Sequence, residues 1–176
     1  YKEMMKTIRK ISYLLLVISI LPILSSCNNE DDVVKIFTGK TWKMTFIAEE
    51  GSQKQYNFWG EQGMTSENAA YKNSMDALAK EGNFILNFEG GDLNGTAGGS
   101  FGGRASTTSV SGTWNANGES KRLDITVEGK PLDKDVYGKA FITGLQNAIR
   151  YGGDENNLYI YYKDGQTTKF LAFHPQ

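Results

Sequence analysis

Leu158-Tyr-Ile-Tyr-Tyr-Lys-Asp-Gly-Gln-Thr-Thr-Lys-Phe-Leu-Ala-Phe173 reads as two strands around a tight turn. Asp164-Gly165 is the turn signal, because glycine supplies the positive φ that two-residue hairpin turns require. The flanking runs, Leu158 to Tyr162 and Phe170 to Phe173, are apolar at consecutive positions. A strand of that kind suits the centre of a sheet that is covered on one side by a helix.

Working upstream, other segments alternate with period two, as half-buried strands do. In Lys40 to Ala48, the residues Trp42, Met44 and Phe46 share one face while Lys43 and Thr45 take the other. Phe84, Leu86 and Phe88 repeat the pattern, as do Leu123, Ile125 and Val127. Gln55 to Trp59 and Ser106 to Trp114 are weaker strand candidates.

Two stretches carry helical spacing instead. Ser66 can cap a helix over Ser66–Glu81, whose Tyr71, Met75 and Leu78 form one apolar stripe. Tyr137, Phe141, Leu145 and Ile149 recur every fourth residue and predict a helix over Asp135–Arg150, stopped by Gly152-Gly153. Gly138 and Gly144 each cost that helix roughly 1 kcal/mol against alanine, so it should depend on packing against the sheet. The expected fold is α+β and β-rich. It is either a single antiparallel sheet or a partly closed, lipocalin-like barrel of about eight strands, with two helices.

Glu89 to Arg104 contains seven glycines in sixteen residues. A phosphate cradle needs a strand, a glycine loop with lysine and Ser/Thr, then a helix. Here a Ser/Thr-rich, strand-like segment follows, so turn and bulge glycines of a β-meander fit better.

The N-terminus carries an address. Lys6, Arg9 and Lys10 form a basic segment, and Ile11 to Leu24 is a mostly apolar run. Those fourteen residues would span roughly 21 Å as a helix, short of the ~30 Å hydrocarbon core. A basic flank with a short apolar run is a secretory signal rather than a membrane span. Leu24-Ser25-Ser26-Cys27 follows directly and resembles the lipobox of bacterial lipoprotein precursors. That likeness implies cleavage before Cys27, lipid on its sulfur and a membrane as partner. Met5 is the expected start, with residues 1–4 upstream of it. Asn28-Asn29-Glu30-Asp31-Asp32 reads as a polar tether, so the expected organisation is signal 1–26, anchor and tether 27–34, and one domain over 35–176. The acidic run also resembles the surface signal of many Bacteroidetes lipoproteins, and the whole address points to the outer membrane, with the cell-surface and periplasmic faces both open.

From Phe84 onward the order of features resembles the META domain, a small secreted or lipoprotein domain of bacteria. The likeness is carried by Phe84–Phe88, Gly90–Gly95, Ser111-Gly-Thr-Trp114, Arg122–Val127, a helix with Phe141–Leu145 and Ala148–Tyr151, Asn157–Tyr161 and Lys169–Phe173. Gly39-Lys-Thr-Trp42 looks like that domain's opening strand and is equally reminiscent of lipocalin-like barrels. The resemblance implies a β-rich envelope domain and transfers no catalytic residue.

Composition narrows the function. Of 19 basic and 20 acidic residues, four and one respectively lie in 1–26, leaving 15 and 19 and a net charge of about −4. A mildly acidic chain lacks the electrostatic footprint of a nucleic-acid binder. Beyond Cys27 there is no cysteine, and the one histidine, His174, reads as an exposed residue near the chain end. Disulfides, a Cys/His pair and an ordinary zinc site are therefore excluded from the domain, and no metal or cofactor is expected. The leading expectation is a non-enzymatic binding module for a small apolar molecule, a glycan or an envelope protein. Tyr56, Phe58 and Trp59 are its candidate ligand-binding cluster, weighed against ordinary core packing. The alternatives are a carboxylate-dependent hydrolase drawing on Glu49, Glu50, Asp92 or Asp124, and an assembly factor for an outer-membrane complex.

Cys27→Ser should abolish incorporation of labelled fatty acid and release the protein from the membrane fraction. Unlabelled wild-type protein would refute the anchor.

Overall fold

The computed structural model describes residues 31–93 and 96–176, so Cys27 and the segment expected to be a signal lie outside the described residues. A short helix α1 (Val33–Phe37) leads into β1 (Thr41–Glu49), and α2 (Ala69–Ala79) precedes β2 (Ile85–Leu93). Then follow β3 (Thr96–Arg104), β4 (Ser109–Asn117), β5 (Leu123–Val127), α3 (Val136–Gln146), β6 (Ala148–Gly153), β7 (Leu158–Asp164) and β8 (Thr167–Pro175).

The eight strands form one antiparallel sheet in the order β5-β4-β3-β2-β1-β8-β7-β6. Two meanders, β2–β5 and β6–β8, are thus joined side by side through β1. The Asp164-Gly165 hairpin is present, with Gly165 at φ +60°. The sheet curls without closing. Its edges touch at an Arg122–Arg150 bridge, where the Tyr151 N–H donates to the Lys121 carbonyl at 2.9 Å. α3 connects these two edge strands and packs against β5, β7 and β8.

β1 departs from strict alternation. Met44 pairs with Phe173 but Phe46 pairs with Ala172, so Thr45 is an extra residue in the strand. Its hydroxyl donates to the Ala172 carbonyl at 3.1 Å. A one-residue bulge exchanges the faces beyond it. Trp42 and Met44 enter the core as expected, and Ile47 takes the next core position. Phe46 does not: together with Ala48 it faces the other side of the sheet, against Phe170.

The inside of the curl is filled by side chains. Phe37 of α1 is fully buried; its ring stacks on Trp114 at 4.8 Å and meets Phe88 and Tyr151 edge-on at 5.0 and 5.1 Å. The buried Trp42 donates its indole N–H to the Phe37 carbonyl at 3.0 Å. At the other end Tyr137, Phe141 and Leu145 of α3 lie fully buried, with Phe84 against the first two.

The α3 glycines have packing reasons. A Cβ on Gly144 would sit 2.9–3.1 Å from the Leu171 side chain, and one on Gly138 would fall within 2.9 Å of three carboxyl atoms of Asp133. Asp133 is buried and accepts from Thr107 N (2.7 Å), Thr107 Oγ1 (3.1 Å), Thr108 N (3.1 Å) and Asp135 N (2.9 Å). It ties the β3–β4 turn to the start of α3. The glycine-rich stretch is the β2–β3 hairpin, where the backbones approach so closely that a Cβ on Gly99 would lie 2.7 Å from Gly90 Cα.

Several boundaries are corrected. Ser66 does not cap α2; its hydroxyl bonds Glu67, and Asn68 accepts from Ala70 N and Tyr71 N instead. The second helix ends at Gln146, not Arg150, because Ala148–Gly153 gains ladder partners in β7. Ile149 is consequently 37 % exposed on a strand and no part of a helical stripe. Gln55–Trp59 is loop rather than strand. Residues 31–34, expected to belong to a tether, instead join the domain: Asp32 caps α1, Val33 is buried, and Asp31 pairs with Lys121 at 2.5 Å.

Helix propensity alone would make Gly138→Ala stabilising by about 1 kcal/mol. The Asp133 contact reverses the sign: Gly138→Ala should lower the melting temperature, and a rise would show that Asp133 yields freely. Trp42→Ala, measured alongside, should cost about 3–5 kcal/mol, the usual loss on truncating a buried large aromatic.

Candidate functional site

The sequence candidates Tyr56, Phe58 and Trp59 do come together, but not as an open platform. Trp59 is 7 % exposed, and its ring packs on Tyr71 at 4.9 Å and Tyr137 at 5.2 Å. Its indole N–H donates to Ser74 Oγ (2.9 Å), which donates to the α3-capping Asp135 (2.7 Å). That relay joins the loop, α2 and α3. Tyr56 and Phe58 are half-buried and cover Lys169, whose ammonium lies 3.8 Å from the Tyr56 ring centroid and pairs with Asp164. Beneath them the Tyr137 hydroxyl accepts from Ile47 N (2.7 Å) and donates to Gln55 Oε1 (2.9 Å). Burial pushes that phenol well above the ordinary tyrosine range, so it remains a donor.

The four carboxylates considered for hydrolysis are spread over β1, the turn after it, β2 and β5. Asp124 is bound by Arg122 through two hydrogen bonds of 2.8 and 2.9 Å, and this bonding holds its pKa below the usual carboxylate range. Glu50 pairs with Arg150. His174 is exposed, as expected. No cluster of metal-ligating side chains occurs among the described residues.

A different aromatic assembly lies on the outer face of the sheet. Phe46 of β1, Phe170 of β8, and Tyr159 and Tyr161 of β7 line a groove of about 570 Å³ with Gly51, Ser52 and Gln53 of the following turn. Such a volume lies within the ~300–1,000 Å³ of ordinary small-molecule sites. Phe170 is its hub, with ring centroids 5.9 Å from Phe46, 5.7 Å from Tyr159 and 5.5 Å from Tyr161. The other three rings are half-exposed, while small residues, Ala48 and Ala172, sit buried between them. Neither the Tyr159 nor the Tyr161 hydroxyl has a hydrogen-bond partner among the described residues. The β4–β5 side of the outer face is polar: Ser111, Thr113 and Asn115 of β4 and Asp124 and Thr126 of β5 are all exposed. The aromatic cluster stands out against that polar side, and grouped, partly exposed apolar side chains are a common feature of binding surfaces.

Sequence reading missed this groove for two reasons. The runs at Leu158–Tyr162 and Phe170–Phe173 are apolar at consecutive positions, which hides the difference between their two faces, and strict alternation along β1 puts Phe46 in the core. The available signal was tyrosine at alternate positions, since a tyrosine keeps a polar tip that suits a wet surface.

These features define a single-sheet, β-rich α+β domain with a filled interior and an external aromatic groove. Residues 28–175 match the domain of unknown function DUF4847, and the chain belongs to that family. A crystal structure of a DUF4847 family protein from Bacteroides vulgatus ATCC 8482 is similar in fold, with a TM-score of 0.57 over 81 % of this chain and 96 % of that one, at 23 % identity. Comparison with curated proteins finds no match.

Trp59→Ala should destabilise the protein by about 3–5 kcal/mol, as a buried ring does, whereas Tyr159→Ala should cost under about 1 kcal/mol. Thermal unfolding of both variants decides it; the reverse order would make Trp59 the accessible ring and Tyr159 the core residue.

Proposed function

We propose that this protein is a lipid-anchored module of the bacterial cell envelope, held in the outer membrane through Cys27, and that it binds a saccharide in the outer-face groove without acting on it chemically. The signal and the lipobox-like Leu24-Ser25-Ser26-Cys27 support the address, and the META-like order of elements fits an envelope domain. The observation that carries the binding role is the grouping of Phe46, Tyr159, Tyr161 and Phe170 around one outer-face groove.

Sugar rings present apolar C–H faces with hydroxyls around the edge. An aromatic face receives the first, and planar polar groups at the rim receive the second. The groove supplies both, with half-exposed rings in the middle and the phenol hydroxyls, Ser52 and Gln53 around them. A ligand inside the curl is disfavoured, because Phe37, Trp42, Phe88, Trp114 and Tyr151 already occupy that space.

Oligosaccharides titrated into the full-length protein should shift the side-chain NMR signals of Tyr159, Tyr161 and Phe170. Tyr159→Ala should weaken that binding at least tenfold with the fold intact. Shifts confined to the interior rings, or affinity unchanged by Tyr159→Ala, would refute the groove as the site.

A further inference from the structure

Building on the saccharide reading of the groove, we infer that its ligand is acidic, carrying a carboxylate or a sulfate ester beside the sugar ring. The charges at one end of the groove carry this. Alternation along β7 places Lys163 on the same face as Tyr159 and Tyr161, one step beyond Tyr161. Its ammonium donates to Thr168 Oγ1 at 2.9 Å, across the ladder, and makes no ion pair among the described residues.

Arg150, opposite Tyr161 in the β6–β7 ladder, lays its guanidinium 3.6 Å from the Tyr161 ring centroid and reaches Glu50. Lys54 stands exposed next to the groove residue Gln53. The anions at this end are Glu49, Glu50 and Asp164. Glu50 is taken by Arg150 and Asp164 by Lys169. Glu49 lies opposite Lys169 in the ladder and, by alternation beyond the bulge, belongs to the side away from the groove.

The groove end is therefore left with the uncompensated positive charge of Lys163, on the same face as the Tyr159 and Tyr161 rings. An anionic substituent on a ring-stacked sugar would complete Lys163 and could also draw Arg150 from Glu50. A carboxylate and a sulfate ester offer the same charge and acceptor oxygens, so the geometry admits both.

The test uses full-length protein and matched pairs of probes: oligogalacturonate and its methyl ester, hyaluronan tetrasaccharide and its methyl ester, and sulfated and desulfated galactan oligosaccharides. The acidic member of at least one pair should bind roughly tenfold more tightly at low ionic strength, with the advantage shrinking in salt. Whether the uronates or the sulfated galactan show it assigns the acid. Lys163→Gln should remove most of the preference while leaving the neutral affinity unchanged, and Tyr159→Ala should weaken both members of each pair.

Equal binding of acidic and neutral members would overturn the acidic ligand while leaving the groove's saccharide role standing. A preference that survives in both Lys163→Gln and Arg150→Gln would also overturn it. Absence of binding by every probe would overturn both readings together.

Discussion

One extra residue in β1 governs which side chains of this domain meet the core and which meet water. Without the bulge at Thr45, the period of two would carry Trp42, Met44, Phe46 and Ala48 into the core together. With it, Trp42, Met44 and Ile47 are buried inside the curl, and Phe46 and Ala48 cross to the outer face. The bulge also bends the strand, as bulges do. β1 pairs with β2 along its first half and with β8 along most of its length. It holds the two meanders together, so a choice made at Thr45 propagates to both faces of the sheet.

The inner face then has to be filled. A curled eight-stranded sheet can enclose either a ligand space or side chains. Here α1 inserts Phe37 at one end and α3 supplies Tyr137, Phe141 and Leu145 at the other. α3 can lie this close only because Gly138 and Gly144 present no side chain to Asp133 and Leu171. The same glycines lower its intrinsic helicity, which is tolerable because burial against the sheet outweighs a propensity cost of roughly 2 kcal/mol. Asp133 and the Trp59–Ser74–Asp135 relay then fix the start of α3 through hydrogen bonds to neighbouring loops. An interior filled by side chains offers a ligand the surface rather than the core.

On that surface, rings from three adjacent strands converge because the ladder sets Tyr161 beside Phe170 and places Tyr159 and Phe46 on either side of Ala172. Small residues under the rings keep the groove open, and the turn at Gly51–Gln53 forms one wall. Phe46, Tyr159 and Tyr161 remain half-exposed although each packs on Phe170. Such rings suit the binding surface proposed for the groove.

Sequence alone determined what depends on short-range pattern. The Asp164-Gly165 hairpin and the inward Phe84-Leu86-Phe88 and Leu123-Ile125-Val127 sets follow from local spacing and chemistry. Only the tertiary structure decided the face of Phe46, since a bulge costs one unpaired residue and leaves no mark on composition. It alone ended α3 at Gln146, where ladder bonds to β7 outcompeted a helical spacing that Ile149 happened to continue. It also moved Trp59 into the core and brought Phe46, Tyr159, Tyr161 and Phe170 together, because sites formed by residues over a hundred positions apart arise from strand order and register, which period-two and period-four patterns do not encode.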